Sequence, residues 1–234
     1  MDQARLAALL VARGDVERHA CVQLSATKFV RAEQWAGLKR HEQEFLRCYA
    51  AGVSAHRAVL VGRSAARALG LWVLGKDPEV IELAQRNGHP PSKTQWPEGV
   101  VYRNIPVPEM DIREHTAFDP AGAGGRIRLT TPARTAIDIA RSSGERSGII
   151  AFESLLTRCS DREADLIREE CAAMMQRMRG TKGIGKARHA LAKATNRSES
   201  AYETLLRLIL EEYGITCHTQ VLIGPYRVDI LVGD

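Results

Sequence analysis

Leu6, Leu9 and Leu10 recur at helical spacing in DQARLAALLVAR (2–13), which predicts a helix with Gly14 at its end. The following VERHACVQLSATKFVRAEQW reads as a further turn of helix and then a strand around Lys28 to Val30. Helices are predicted over His41 to Ala50 and Arg63 to Leu69, with the apolar, strand-like run Ala58 to Val61 between them. From Pro78 to Leu129 the pattern shortens to apolar runs bounded by turn residues, the signature of a small sheet. Its candidate strands are Glu79 to Ala84, Val100 to Arg103, Ile112 to Phe118 and Arg126 to Leu129. GHPPS and DPAGAGG are the loops between them. The Gly122 to Gly125 cluster is followed by a strand rather than a helix, so it predicts a hairpin loop and not a phosphate cradle.

The second half of the chain reads as helical. In TTPARTAIDIAR, Thr131 can cap, Pro132 takes the first helical position, where its missing N–H costs nothing, and Arg134 stands four residues before Asp138. That pair predicts an ion pair on a helix; service in a functional site is the alternative. Helices continue over Ile149 to Thr157, Asp161 to Met178 and Lys186 to Ala194. Between the last two, GTKGIGKA (180–187) has the spacing of a phosphate loop. Ala187 stands where a magnesium-holding Ser or Thr is needed, and a helix precedes the segment, so a basic interhelical turn is expected.

Ser200-Ala201-Tyr202-Glu203 reads as a capping box opening a helix with Leu205, Leu206, Ile209 and Leu210 as its core stripe and Gly214 at its end. A hairpin follows: Thr219 to Ile223, the turn Gly224-Pro225, then Tyr226 to Val232. Alternation puts Tyr226, Val228, Ile230 and Val232 on one face and Arg227, Asp229 and Leu231 on the other. A carboxylate in such an apolar strand must be paired, hydrogen-bonded or bound to a cation. Arg227 is the same-face partner. The alternative is magnesium, which takes one or two carboxylates and completes its shell with water and phosphate oxygens; Glu203 is then the second carboxylate. The elements together predict an α/β (α+β) fold: a helical start, a small mixed sheet with helices, then the opening of a further α/β domain.

Composition places this 234-residue chain, with 44% hydrophobic and 26% charged residues, among soluble globular proteins. The longest apolar run, Leu6 to Ala12, falls short of the roughly 18 to 20 residues a membrane span needs, and a cytoplasmic location is expected. Five cysteines without a CxxC pair suggest neither a disulfide framework nor a zinc knuckle. The net charge of +5 is unevenly distributed. No Asp or Glu occurs from Cys171 to Ser198, a window holding Arg177, Arg179, Lys182, Lys186, Arg188, Lys193 and Arg197. This is either a solvated helix face or a phosphate-contacting flank beside a carboxylate site.

The C-terminal residues carry a family resemblance. SESAYETLLRLILEEYGI, then TQ, then GPYRVDILV resemble the opening of the Vsr-like endonuclease domains of the PD-(D/E)XK superfamily: a helix with an early Glu, a Gln on the first strand and an Asp on the second. Upstream, VGRSAARALGLWVL, TTPARTAIDIA and RGTKGIGKARHAL resemble segments of proteins related to the AbiEi antitoxin family. The resemblance implies a winged-helix-like segment over 1–50, an antitoxin-like α/β domain over 51–141, a basic helical connector over 142–197 and part of a nuclease domain over 198–234. It implies Glu203, Gln220 and Asp229 as catalytic residues, magnesium on Asp229 and Glu203, and Arg177, Arg179, Lys182, Lys186 and Arg188 on a DNA backbone. The family pattern continues into a third strand with a further Glu, whereas this sequence stops at Asp234, so the resemblance predicts a fragment with an inactive nuclease.

A non-enzymatic, antitoxin-like regulator that binds DNA and a toxin partner is the competing expectation. A protein with no nucleic-acid role requires the basic window to be neutralised by Glu163, Asp165, Glu169 and Glu170.

Overall fold

The computed structural model describes residues 2–18, 20–55, 57–75, 78–115 and 126–233. The fold is mixed α/β, and the chain divides into two compact units, Met1–Leu69 with Gly75–Thr131 and Gly70–Leu74 with Pro132–Asp234.

The first unit opens with α1 (Gln3–Ala7), capped by Asp2, whose carboxylate accepts from the Arg5 amide. The helix expected over 2–13 is cut short. The Leu9 and Leu10 amides bond three residues back, to Leu6 and Ala7, which tightens the last turn, and Val11 enters a strand instead. That strand, β1 (Val11–Ala12), joins β2 (Cys21–Gln23) and β3 (Lys28–Arg31) in an antiparallel sheet of order β1-β3-β2. The strand expected around Lys28 is therefore one arm of a hairpin. A short α2 (Ala32–Ala36) follows.

Next come α3 (Arg40–Ser54), β4 (Ala58–Leu60), α4 (Gly62–Leu69), β5 (Ile81–Gln85), β6 (Val100–Tyr102), β7 (Ile112–His115) and β8 (Ile127–Thr130). The sheet order is β6-β5-β4-β8-β7, with β4/β8 and β5/β6 parallel and the other neighbours antiparallel. Alternation along the strands divides the core. Leu60, Leu83, Ile127 and Leu129 pack with Phe45, Leu46 and Tyr49 of α3, whereas Val59, Val61 and Ala84 pack with Val107. Gly62 turns the chain from β4 into α4 at φ +53, and a Cβ there would lie 2.5 Å from Glu82 Oε2. That carboxylate accepts from the Arg63 amide at 2.7 Å and so caps α4. The Gly122 to Gly125 loop lies outside the described residues.

The second unit is built from α5 (Pro132–Ser142), α6 (Glu145–Leu156), α7 (Asp161–Arg177), α8 (Ile184–Lys193) and α9 (Ala201–Glu212), followed by β9 (Cys217–Ile223) and β10 (Tyr226–Val232). Its buried side chains include Ile137, Ile139, Ile149, Ile150, Phe152, Leu156 and Met174. α5 and α6 meet at Gly148, where a Cβ would come within 2.7 Å of the Ala140 Cβ. Among the described residues no helix is long and apolar enough to cross a membrane.

The buried face of α9 differs from the expected leucine stripe. Leu206 is 49% exposed and Leu205, Ile209 and Leu210 are half-buried, while Thr204, Arg207 and Leu208 face inward. The reason lies on α6, where Glu153 is fully buried and accepts from Arg207 Nη2 at 2.6 Å, Thr204 Oγ1 at 2.6 Å and the Thr195 amide at 2.9 Å. A buried carboxylate requires such donors, and they dictate which way α9 is rotated.

Burial pushes the Cys48 and Cys171 thiols up to about 12, as expected of apolar packing residues. We expect iodoacetamide at pH 8 to leave both unlabelled in the folded protein, with labelling confined to the half-buried Cys21, Cys159 and Cys217. Mass spectrometry of the alkylated chain checks this; modification of Cys48 or Cys171 before denaturation contradicts it.

Candidate functional site

Ser200 begins the site. Its hydroxyl accepts from the Glu203 amide at 3.2 Å, which starts α9 where the sequence predicts. The reciprocal half of the expected capping box is shifted by one residue: Glu203 Oε2 accepts from the Glu199 amide at 2.8 Å. Glu203 is thereby held at the helix N-terminus, where the peptide dipoles favour a negative charge.

Gly214, φ +70, follows the end of α9, and the Ile215 amide bonds back to Leu210. The chain then forms the predicted hairpin, with the two-residue Gly224-Pro225 turn joining Ile223 to its partner Tyr226. Gln220 and Asp229 lie opposite each other, between the paired positions Val221–Val228 and Thr219–Ile230. Directly opposed residues share a face, so the pairing register brings the two side chains together. Gln220 has φ +56, a left-handed conformation that is costly for a residue with a side chain.

The three residues singled out in the sequence converge through this glutamine. Gln220 Nε2 lies 3.3 Å from Glu203 Oε2 and 3.3 Å from Asp229 Oδ1. Gln220 Oε1 is buried and has no hydrogen-bond partner. Chemistry requires this orientation of the amide, because turning the oxygen toward two carboxylates would gather three acceptors without a donor.

One expectation about Asp229 needs correction. Arg227 is not its partner: that guanidinium reaches Glu199 at 2.5 Å. Asp229 itself is exposed. β9 and β10 form a two-stranded sheet, which leaves Leu222 and Tyr226 each 73% exposed.

The acidic residues fit magnesium in part. Glu203 and Asp229 supply the one or two carboxylates this ion prefers, and the orphaned Gln220 oxygen is a third group of suitable hardness. Among the described residues no set of three or more His, Cys, Asp or Glu side chains is placed to hold a metal. The remaining ligands would have to come from water or a bound phosphodiester.

The basic residues cluster at the α7–α8 junction. Arg177 is in the last turn of α7, Arg179 and Lys182 are in the intervening turn, and Lys186 and Arg188 are in the first half of α8; all five are exposed. The expected interhelical turn is confined to 178–183, and 184–187 already form the first turn of α8. It is fastened to α5: Arg141 Nε donates to the Lys182 carbonyl at 2.9 Å, and Gly183, at φ +84, lies so close to Arg141 that a Cβ would be 2.7 Å from its carbonyl oxygen. Arg141 Nη1 in turn donates to Asp138 at 2.7 Å, and Arg134 Nε donates to the same carboxylate at 2.9 Å. Burial pushes the Asp138 carboxyl up, against the pull of the two guanidiniums. The Arg134/Asp138 pair is therefore the expected intrahelical ion pair, and its third member anchors the basic turn.

Two of the acidic residues of α7 have partners away from this surface. Glu163 bonds to Ser160 and Asp165 to Arg168. Lys193 is paired with Glu145 at 2.8 Å, and Arg197 lies 3.8 Å from Asp161. The Lys193 hydrogen bond holds the Glu145 carboxyl below its ordinary range. Among the described residues, no acidic side chain forms a salt bridge with Arg179, Lys182, Lys186 or Arg188.

Comparison with protein-family models, with curated proteins and with solved structures returns no match.

Proposed function

We propose that the chain is a DNA-acting protein of the toxin–antitoxin or defence type, with α9, β9 and β10 forming a Vsr-like, magnesium-binding endonuclease module. The convergence of Glu203 and Asp229 on the Gln220 amide carries this reading, because it brings together residues of one helix and two strands in a donor set suited to a hard cation. Glu203 and Asp229 would hold the ion. Bound magnesium neutralises phosphate charge and lowers the pKa of a coordinated water. Glu199 fixes Glu203 through its amide and Arg227 through its carboxylate, which keeps the helix start and the second strand in one arrangement. The exposed cations of the α7–α8 junction supply attraction for a phosphate backbone. With two acidic residues in the set, we propose that this chain binds cation and phosphate and hydrolyses slowly or not at all.

The test is duplex-DNA binding by anisotropy, with and without magnesium, alongside a supercoiled-plasmid nicking assay. Magnesium is expected to strengthen binding by the wild type and to have no such effect on Asp229→Ala. Nicking that disappears in Asp229→Ala would assign hydrolysis to the module as well. Binding that ignores both magnesium and the substitution overturns the cation site.

A second reading is an antitoxin-like regulator that binds DNA and a toxin protein, with the helix and hairpin serving only as a fold. Arg179, Lys182, Lys186 and Arg188, which form no salt bridge among the described residues, favour it, because they need no metal. Salt-dependent, magnesium-independent binding without nicking is its expected signature.

A further inference from the structure

The Gln220 carboxamide occupies the position between two carboxylates that a divalent cation would take. Its two N–H groups are directed at Glu203 Oε2 and Asp229 Oδ1, each at 3.3 Å, so it screens one carboxylate from the other as a bridging cation would. Its oxygen is buried without a partner. An amide that satisfies its donors while leaving its acceptor orphaned is half-satisfied. Rotation about the terminal side-chain torsion would exchange the two ends. Without a cation, that rotation would set three acceptors against one another. With a cation between the carboxylates, the same rotation would give the ion a third oxygen ligand. The backbone at φ +56 and the register opposite Asp229 hold Gln220 at this point of the strand pair.

We propose that Gln220 is a placeholder for the cation: its amide bridges Glu203 and Asp229 when no ion is bound and turns to ligate the ion through Oε1 when one arrives. This rests on the cation site proposed above. Cation uptake and the orientation of the Gln220 amide are then one equilibrium, set by which end of the amide faces the carboxylates.

The experiment is Mn²⁺ binding to the full chain, read from the free-ion paramagnetic resonance signal, combined with side-chain amide spectra during a Mg²⁺ titration. The Gln220 amide pair is assigned by its absence in Gln220→Leu. In the wild type, that pair is expected to shift on Mg²⁺ addition, and in Asp229→Ala it is expected to remain unmoved. Gln220→Leu should weaken Mn²⁺ binding about tenfold or more. Gln220→Glu, which keeps an oxygen donor and adds charge, should bind Mn²⁺ more tightly than the wild type. Mn²⁺ affinity in Gln220→Leu equal to or above that of the wild type overturns the ligand role, even with the cation site intact. A wild-type chain that takes up no Mn²⁺ overturns the cation site and this proposal together.

Discussion

Replacing Arg207 with leucine is expected to destabilise the second unit by about 3–5 kcal/mol, the cost of leaving a buried carboxylate without its counter-charge. Arg207 is 9% exposed and Glu153 fully buried, so water cannot take the place of the lost guanidinium. Burial alone would discourage the charge on Arg207; Glu153 and Glu211 outweigh it and hold the guanidinium protonated more firmly than usual. The measurement is urea unfolding in a Trp35→Phe/Trp96→Phe background, which leaves Trp72 as the fluorescent reporter. Trp72 belongs to the second unit, and its amide donates to Ser154 at 2.9 Å on the same helix as Glu153. Removing the charge from Glu153 as well should recover part of the loss. Glu153→Gln keeps a carbonyl oxygen for the Thr195 amide, so Glu153→Gln/Arg207→Leu is expected to be more stable than Arg207→Leu alone. A single-variant cost below about 1 kcal/mol would place the pair among weak surface bridges and overturn the argument.

That buried network also marks where the sequence stops being legible. The helix over 201–212 is announced by Ser200 and Gly214, and the hairpin by its alternation around Gly224-Pro225, because caps, turns and period are local properties. The rotation of α9 is not local. Periodicity selects Leu205, Leu206, Ile209 and Leu210 as the buried stripe, but Glu153, some fifty positions earlier on another helix, needs Thr204 and Arg207 more than the core needs those leucines. α1 follows the same logic: its leucines continue the helical pattern, yet pairing of Val11 with Phe29 ends the helix early.

The candidate site is partly legible in the same sense. The resemblance to a family pattern picks out Glu203, Gln220 and Asp229, and strand register explains why the latter two meet. Alternation also pointed to Arg227 as the partner of Asp229, because residues two apart on a strand share a face. It could not show that Glu199, ahead of the helix, takes the Arg227 charge and leaves Asp229 to the glutamine. The role of Arg141 is not legible for a related reason. Its spacing to Asp138 is visible in the sequence, but its second bond, to the Lys182 carbonyl, closes across forty-one residues.

Changing Arg179, Lys182, Lys186 and Arg188 together to alanine is expected to lower the salt dependence of DNA binding as well as its strength. Each phosphate contact removed takes about one unit from the slope of log K against log salt, so the quadruple variant should lose about three to four units. The loss of affinity should be largest at low salt and independent of DNA sequence, because phosphates are the same at every base pair. These four side chains are exposed and form no salt bridge among the described residues, so removing them breaks no ion pair there. Lys193→Ala and Arg197→Ala provide the comparison, since Glu145 and Asp161 already engage those charges. Their effect on the slope should be small. Gly183→Ala gives an independent handle: at φ +84 and 2.7 Å from the Arg141 carbonyl, the added methyl must displace the turn that carries Lys182. It should weaken DNA binding without altering charge. If the quadruple variant keeps the wild-type slope, the basic turn is a solvated surface and the DNA contacts lie elsewhere. If the slope falls while the magnesium response of Asp229 persists, phosphate attraction and cation binding are separate properties of one unit, and neither can be inferred from the other.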